Sequence, residues 1–206
     1  MTSIASVTLE VADVTAADRF YTAFGLGTQL RLRASDAPTT GFRGFALALT
    51  VAQPADVNAF VGAALDAGAT TLKPASKSFW GYGGVVRAPD GTILKVASSA
   101  KKDTGPATRE IEKVVLLLGA EDVAESRKFY VGQGLVVAKS YGRKYVEFAG
   151  QGPVKLALYG RRALAKDVGV PADGTGSHRL VLGGAGAFTD PDGYAWETVA
   201  TPAAAA

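Results

Sequence analysis

The chain has 206 residues, of which 48% are hydrophobic and 20% charged, and its formal net charge is +3. This composition indicates a globular protein rather than a disordered one, and the length suffices for one large or two small domains. The absence of cysteine excludes disulfides, thiolate metal ligands and cysteine nucleophiles.

The basic residues are scattered rather than gathered into a stripe, so we expect no nucleic-acid partner. No basic segment followed by an apolar run opens the chain, and no stretch approaches eighteen apolar residues. We therefore expect a cytoplasmic protein without a membrane partner.

The first half reads as strands alternating with two helices. Asp13 or Thr15 caps the first helix and Gly25 ends it, while Pro54 opens the second and Gly68 closes it. Period-two alternation predicts strands at 4–11, 28–34, 45–51 and 92–96. The last of these follows a tight turn, Pro89-Asp90-Gly91.

A polar segment without periodicity separates the two halves. Residues 99–109 contain Gly-Pro and predict a linker between a domain at 1–98 and a second at 110–200. The tail at 201–206 is expected to be disordered.

The second half repeats the pattern of the first. Phe129-Tyr130 follows Phe20-Tyr21 with an offset of 109, and Pro191-Asp192-Gly193 follows Pro89-Asp90-Gly91 with an offset of 102. The second copy has additional strands at 144–148 and 154–159 and lacks a counterpart of the second helix. The halves are therefore related copies of different internal length.

The order and spacing of these features resemble the vicinal oxygen chelate superfamily, which includes glyoxalase I, bleomycin-resistance proteins and extradiol dioxygenases. The matching features are a first strand, an Asp-capped helix with Phe-Tyr and then Gly-Leu, and a final strand after Asp-Pro-Asp-Gly that carries a glutamate. The resemblance implies an α+β fold of tandem βαβββ modules, with curved mixed sheets around a cleft and helices on the outside.

In metal-using members of the family, histidines and carboxylates on four strands hold a divalent ion with open positions for substrate oxygens. In this chain the corresponding positions of the first half are Ser6, Ala46 and Lys95, none of which suits a cation. Those of the second half follow: Val115, Ala157, His178 and Glu197. Only His178, the single histidine, and Glu197 keep ligand chemistry, so the resemblance implies an incomplete metal site.

Three functions remain open. The first is metal-independent binding of a small organic molecule, as in the sequestering resistance proteins of the family. The second is an isomerase or lyase in which His178 and Glu197 act as catalytic residues, with or without a divalent metal. If a metal is bound, Glu10 or Glu147 could complete its ligand set, and the sequence does not distinguish between them. The third is a non-catalytic structural subunit, and each is compatible with a monomer or a homodimer.

Further residues are candidates for ligand binding. They include Ser6 and Thr8 on the polar face of the first strand, and Lys95, which is inferred to share that face. There Lys95 could also pair with Glu10 across the cleft of the first half. The segment with Phe79, Trp80 and Tyr82 predicts an aromatic lip that stacks on a planar ligand, or else aromatics that anchor a loop.

Overall fold

We describe the chain from a computed structural model that covers residues 4–184 and 186–199. The predicted tail at 201–206 lies outside these residues. Within them, no helix is long and apolar enough to cross a membrane.

Four helices and fifteen strands follow one another along the described chain. The helices are α1 (Val14–Phe24), α2 (Pro54–Asp66), α3 (Val123–Gly132) and α4 (Arg161–Val168). The strands up to the linker are β1 (Ser6–Val11), β2 (Arg31–Ala34), β3 (Thr39–Gly41), β4 (Phe45–Thr50), β5 (Thr70–Ser78), β6 (Gly81–Arg87) and β7 (Ile93–Ser98). The strands after it are β8 (Lys113–Ala120), β9 (Val137–Tyr141), β10 (Tyr145–Phe148), β11 (Val154–Gly160), β12 (Gly174–Gly176), β13 (Leu180–Gly184), β14 (Phe188–Thr189) and β15 (Ala195–Thr198).

The first helix of each half begins at an aspartate that caps it. The Asp13 carboxylate accepts from Ala16 N at 2.9 Å, and the Asp122 carboxylate accepts from Ala124 N at 2.8 Å. These bonds satisfy backbone donors that the first turn leaves unpaired. Helix α1 then ends at Gly25, whose φ of 101° lies in the left-handed region. The repeated start of the two halves is thus encoded locally.

The two large sheets both draw strands from both halves. The eight-stranded sheet has the order β5-β6-β7-β4-β8-β11-β10-β9, and β4 and β8 join its halves in antiparallel pairing. The five-stranded sheet has the order β14-β15-β13-β1-β2, and β1 pairs antiparallel with β13. A small third sheet pairs β12 with β3. A cleft on either large sheet is therefore built across the two sequence halves.

Helices α1, α2 and α3 share one apolar core with the inner faces of the two large sheets. Phe20, Phe24, Phe60 and Tyr130 belong to this core together with Leu116 of β8. The prediction of an α+β fold with curved mixed sheets and helices packed outside is confirmed for these three helices.

Helix α4 packs on the opposite face of the eight-stranded sheet. Its side chains Leu164, Ala165 and Val168 belong to a second core with Val115 and Leu117 of β8, whereas the residues between these in β8 face the first core. The sequence analysis did not predict this helix.

The segment 99–109 contains no helix or strand, and it is held in place by the start of α2. Gln53 Oε1 accepts from Thr104 N at 2.7 Å, and Asp56 Oδ1 accepts from Thr108 N at 2.6 Å. The side chains of Gln53 and Asp56 are buried, so these hydrogen bonds fix the segment against the start of α2.

Candidate functional site

The five-stranded sheet turns a polar face away from the main core. On β1 this face carries Ser6, Thr8 and Glu10, because Val7, Leu9 and Val11 point into the core. Strand register places Glu197 of β15 opposite Gly183, which in turn lies opposite Ser6. The family positions Ser6 and Glu197 therefore share one face of this sheet.

Arg33 of β2 joins the two carboxylates of this face. Its guanidinium donates to Glu10 Oε1 and to Glu197 Oε2, each at 2.9 Å. Because neighbouring strands are about 4.8 Å apart, β2 and β15 would be roughly 14 Å apart in a flat sheet. The contact between Arg33 and Glu197 therefore reflects a concave face.

The two hydrogen bonds keep the guanidinium charged. The bond to Glu197, followed by the bond to Glu10, raises the pKa of Arg33 above its usual value, although partial burial opposes the shift. The site thus contains one fixed positive charge between two carboxylates. Sequence reasoning missed Arg33, since its alternation in β2 marks an outward side chain but does not reveal its partners.

An open cavity of about 550 Å³ lies against this cluster. Glu10, Arg33 and Glu197 are its charged lining residues. The rest of the lining comes from the ends of β13 and β15 and the segments before them: Gly176, Ser177, His178, Leu180, Val181, Gly193, Ala195 and Trp196.

His178 and Glu197 both line this cavity, but no hydrogen bond joins them in the described part of the chain. The His178 imidazole faces Gly193, where an added Cβ would lie 3.3 Å from Nε2. Arg179, with a φ of 51°, breaks the strand alternation just after His178. The imidazole is thus directed at the turn before β15.

Both nitrogens of His178 face main-chain oxygens. Nδ1 lies 2.5 Å from Arg43 O and Nε2 lies 3.2 Å from Asp192 O, while the ring stacks on Tyr194. A histidine binds a metal through an unshared nitrogen lone pair, and both nitrogens are directed at carbonyl groups here. In this arrangement His178 links the segment before β4 to the turn before β15.

The carboxylates of the Asp-Pro-Asp-Gly turn connect it to α3. Asp190 accepts from the buried Tyr130 hydroxyl at 2.6 Å, and Asp192 accepts from Ser126 Oγ at 2.6 Å and from Glu121 N at 2.8 Å. The motif that carries the family resemblance therefore serves packing at its two aspartates, whereas its glycine and its final glutamate line the cavity.

Ser6 and Thr8 are covered rather than open to the cavity. The Ser6 hydroxyl is buried and has no hydrogen-bond partner among the described residues. A Cβ on the facing Gly183 would lie 2.2 Å from Ser6 Oγ and 2.4 Å from Val199 Cγ2, so glycine is required there. Thr8 is also buried, and it does not line the cavity.

The four remaining family positions lie together on the eight-stranded sheet, beneath α4. Ala46, Val115 and Ala157 are buried in the second core with the apolar side chains of α4. Lys95 donates to Asp167 Oδ2 of the same helix at 2.5 Å. Helix α4 thus covers the surface that corresponds to a second cleft.

A smaller cavity of about 300 Å³ remains beside α4, and Lys95, Trp80 and Tyr82 of the predicted ligand-binding residues line it. The Tyr82 hydroxyl also donates to Asn58 Oδ1 at 3.0 Å, whereas Phe79 lies under Lys101 Nζ. A ligand role for Lys95 and for these three aromatic residues stays a prediction.

The expected pair of Glu10 with Lys95 does not form. Glu10 pairs with Arg33 on the five-stranded sheet, whereas Lys95 pairs with Asp167 on the eight-stranded sheet. Glu147 also belongs to the eight-stranded sheet, where it pairs with Lys113 at 2.6 Å and cannot complete a site at Glu197. The pairing expectation was wrong because it placed both residues in one cleft of the first half.

The residues present do not fit the metal ion that the family resemblance implies. No group of three or more histidine, aspartate or glutamate side chains within 4–184 and 186–199 is arranged to hold a metal. At Glu197, the second carboxylate within reach is Glu10, and the Arg33 guanidinium lies between them.

Comparisons with known proteins agree with this architecture. No family model and no curated protein matches the sequence. A mutant of glyoxalase I from Zea mays superposes with a TM-score of 0.61 at 14% identity, covering 95% of this chain and 91% of that one. A putative dioxygenase from Bacillus subtilis superposes with a TM-score of 0.53 at 13% identity, covering 92% and 71%. The chain therefore shares its fold with glyoxalase I from Zea mays and with the putative dioxygenase, which agrees at the level of the fold with the resemblance stated above.

Proposed function

We propose that this protein binds a small organic molecule in the cavity on the five-stranded sheet without the help of a metal ion. The observation that carries the proposal is the position of Arg33, whose guanidinium bridges Glu10 and Glu197. Glu197 is the one family ligand position that combines a carboxylate with access to the cavity.

The guanidinium takes over the electrostatic role that a bound cation would have between the two carboxylates. It neutralises one of the two negative charges and occupies one oxygen of each carboxylate. A divalent cation entering this site would meet a like charge that cannot be deprotonated. This supports metal-independent binding.

The chemistry left in the cavity favours a ligand with a hydroxyl or ammonium group. The second oxygens of Glu10 and Glu197 accept no hydrogen bond from the described residues. The charged lining residues sum to one negative charge, and Val181 and Ala195 supply apolar wall. A cavity of about 550 Å³ has the size of small-molecule sites.

Binding of benzylamine and of benzoate tests the proposal with two probes of similar size and opposite charge. After dialysis against a chelator, we expect benzylamine to shift resonances of cavity residues in two-dimensional NMR and benzoate to leave them unchanged. Glu197→Gln removes one charged acceptor and should weaken benzylamine binding about tenfold. Glu112→Gln, at an exposed carboxylate outside the cavity, is the matched control.

Equal binding of benzoate, or equal affinity of Glu197→Gln and the wild-type protein, would contradict the proposed chemistry. Loss of benzylamine binding on removal of metal ions, with recovery on adding them back, would contradict metal independence. Absence of any shift by benzylamine would favour the structural-subunit alternative.

A further inference from the structure

The tip of the β5–β6 hairpin presents the two most exposed large apolar side chains of the described chain. Phe79 is 82% exposed and Trp80 84%, and their rings contact each other edge to face with centroids 5.0 Å apart. Such a pair is costly to leave in water, because each ring has a large apolar surface. The pair protrudes, in contrast to the cavity lining described above.

The tip is held rigidly. Ser78 Oγ accepts from Trp80 N at 3.2 Å, and Gly81 has a φ of 137°. A Cβ on Gly81 would lie 2.0 Å from Ser98 O, so the hairpin packs directly on the end of β7. Insertion of the aromatic pair into a partner would therefore cost little conformational entropy.

Three lysines accompany the pair in the chain segments at the tip. Lys77 precedes the tip, Lys101 Nζ lies 5.6 Å from the Phe79 ring centroid, and the exposed Lys102 follows Lys101 in sequence. Asp103 comes next and accepts from Ala55 N at 2.6 Å at the start of α2, so three positive charges and one negative charge leave these segments with a net charge of +2. The patch is thus apolar at its centre and positively charged at its edge.

We propose that this tip, defined by Phe79, Trp80 and the three lysines, docks on an anionic phospholipid surface. Aromatic side chains that protrude beside lysines suit the boundary of a bilayer, where the rings enter the headgroup region and the amines meet anionic lipids. Protein interfaces are instead depleted of lysine, and single-stranded nucleic acid binds in a charged groove rather than on a projecting tip.

This proposal departs from the expectation of no membrane partner, which rested on the lack of a spanning segment. Peripheral binding needs no such segment. It also leaves the five-stranded sheet and its cavity free, so it is independent of the proposed ligand.

The two tryptophans make the test direct, because Trp80 is exposed and Trp196 is 4% exposed in the core. Vesicles of phosphatidylcholine alone and vesicles containing roughly one-third phosphatidylserine are mixed with the protein. With the anionic vesicles we expect co-sedimentation, a blue shift of the emission and quenching by brominated acyl chains. High salt should reduce all three signals.

Variants separate the tip from general attraction to a charged surface. Trp80→Ala should lower partitioning into the anionic vesicles about tenfold or more, and Lys101→Glu with Lys102→Glu should lower it by a similar factor. Tyr141→Ala is the matched control, since Tyr141 is an exposed aromatic residue at the β9–β10 hairpin next to Arg143. Melting temperatures of all variants verify folding.

Partitioning that is equal in the wild-type protein and Trp80→Ala would overturn the proposal, as would equal losses in Trp80→Ala and Tyr141→Ala. A protein that binds neither the neutral nor the anionic vesicles would also overturn the proposal.

Discussion

Replacing Arg33 by methionine should turn the cleft from a site that rejects cations into one that accepts them weakly. The substitution keeps the aliphatic stem of the side chain and removes the guanidinium between Glu10 and Glu197. Two carboxylates then face each other without a counter-charge. We therefore expect the variant to be less stable than the wild type and a divalent cation to raise its stability again.

The magnitude follows from exposure and distance. The arginine and Glu197 side chains are 43% and 40% exposed, so each lost ion pair contributes about 0.2–1 kcal/mol. The repulsion between the two carboxylates is present in both proteins and therefore does not enter the difference. The two lost pairs together cost about 0.4–2 kcal/mol, which lowers the Tm by roughly 1–6 °C in a chain of this length.

Calcium should reverse much of this loss in the variant. A site with two carboxylates binds calcium with a Kd of about 1 mM, so about 10 mM calcium stabilises it by about 1.4 kcal/mol. The assay is a thermal melt with and without calcium at constant ionic strength. Arg31→Met is the matched control, because Arg31 is an exposed arginine of the same strand that forms no ion pair within the described chain.

Two results would refute this reasoning. One is a wild-type protein that calcium stabilises as strongly as it stabilises Arg33→Met. The other is an Arg33→Met variant that melts like Arg31→Met and does not respond to calcium. Either would mean that the guanidinium does not hold the place of a cation.

Two further substitutions test the framework around the site. Tyr130→Phe removes the buried hydroxyl that donates to Asp190 and should cost about 2–3 kcal/mol in urea denaturation, whereas Tyr141→Phe at an exposed position should stay within about 0.5 kcal/mol of wild type. Burial raises the pKa of Glu147, but hydrogen bonds from Lys113 and Tyr145 outweigh this effect and hold the pKa below its usual value. Lys113→Met removes one of these bonds and leaves a buried carboxylate, so it should cost about 2 kcal/mol at pH 7. A carboxyl group whose pKa is lowered by folding stabilises the fold at pH values above its unfolded pKa of about 4.3. The difference in unfolding free energy between the wild type and Lys113→Met should therefore shrink as the pH falls below that value. A difference that does not change with pH would contradict this reasoning.

Local signals accounted for the parts of the fold that sequence analysis predicted. Asp13 and Asp122 cap helices through bonds to residues two or three positions ahead, and Gly25 ends a helix by its own backbone conformation. Such features need no knowledge of the tertiary structure. The repeat then identified which elements correspond in the two halves, and the fold class followed from it.

The site depended on contacts that no local pattern contains. Arg33 and Glu197 are 164 positions apart, and they meet only because β1 pairs with β13 and the sheet is concave. His178 was assigned by the family's ligand position on a strand, but β13 begins only at Leu180, after the left-handed backbone at Arg179. The signal for α4 was present, since Leu164, Ala165 and Val168 have helical spacing and Gly169 follows them, but the spacing does not show which face of the sheet it covers.

Both surfaces that correspond to the family clefts are modified by groups from this chain, but to different extents. On the five-stranded sheet, one guanidinium replaces the cation and an open cavity of about 550 Å³ remains. On the eight-stranded sheet, a ligand at Ala46 or Val115 would have to displace α4, whose Leu164 and Val168 are fully buried there. Exposing each of these two side chains costs about 1.5–3 kcal/mol, and the Lys95–Asp167 pair would also break. Binding at the first surface carries no such cost, so a small molecule should occupy that surface before it reaches Ala46 or Val115.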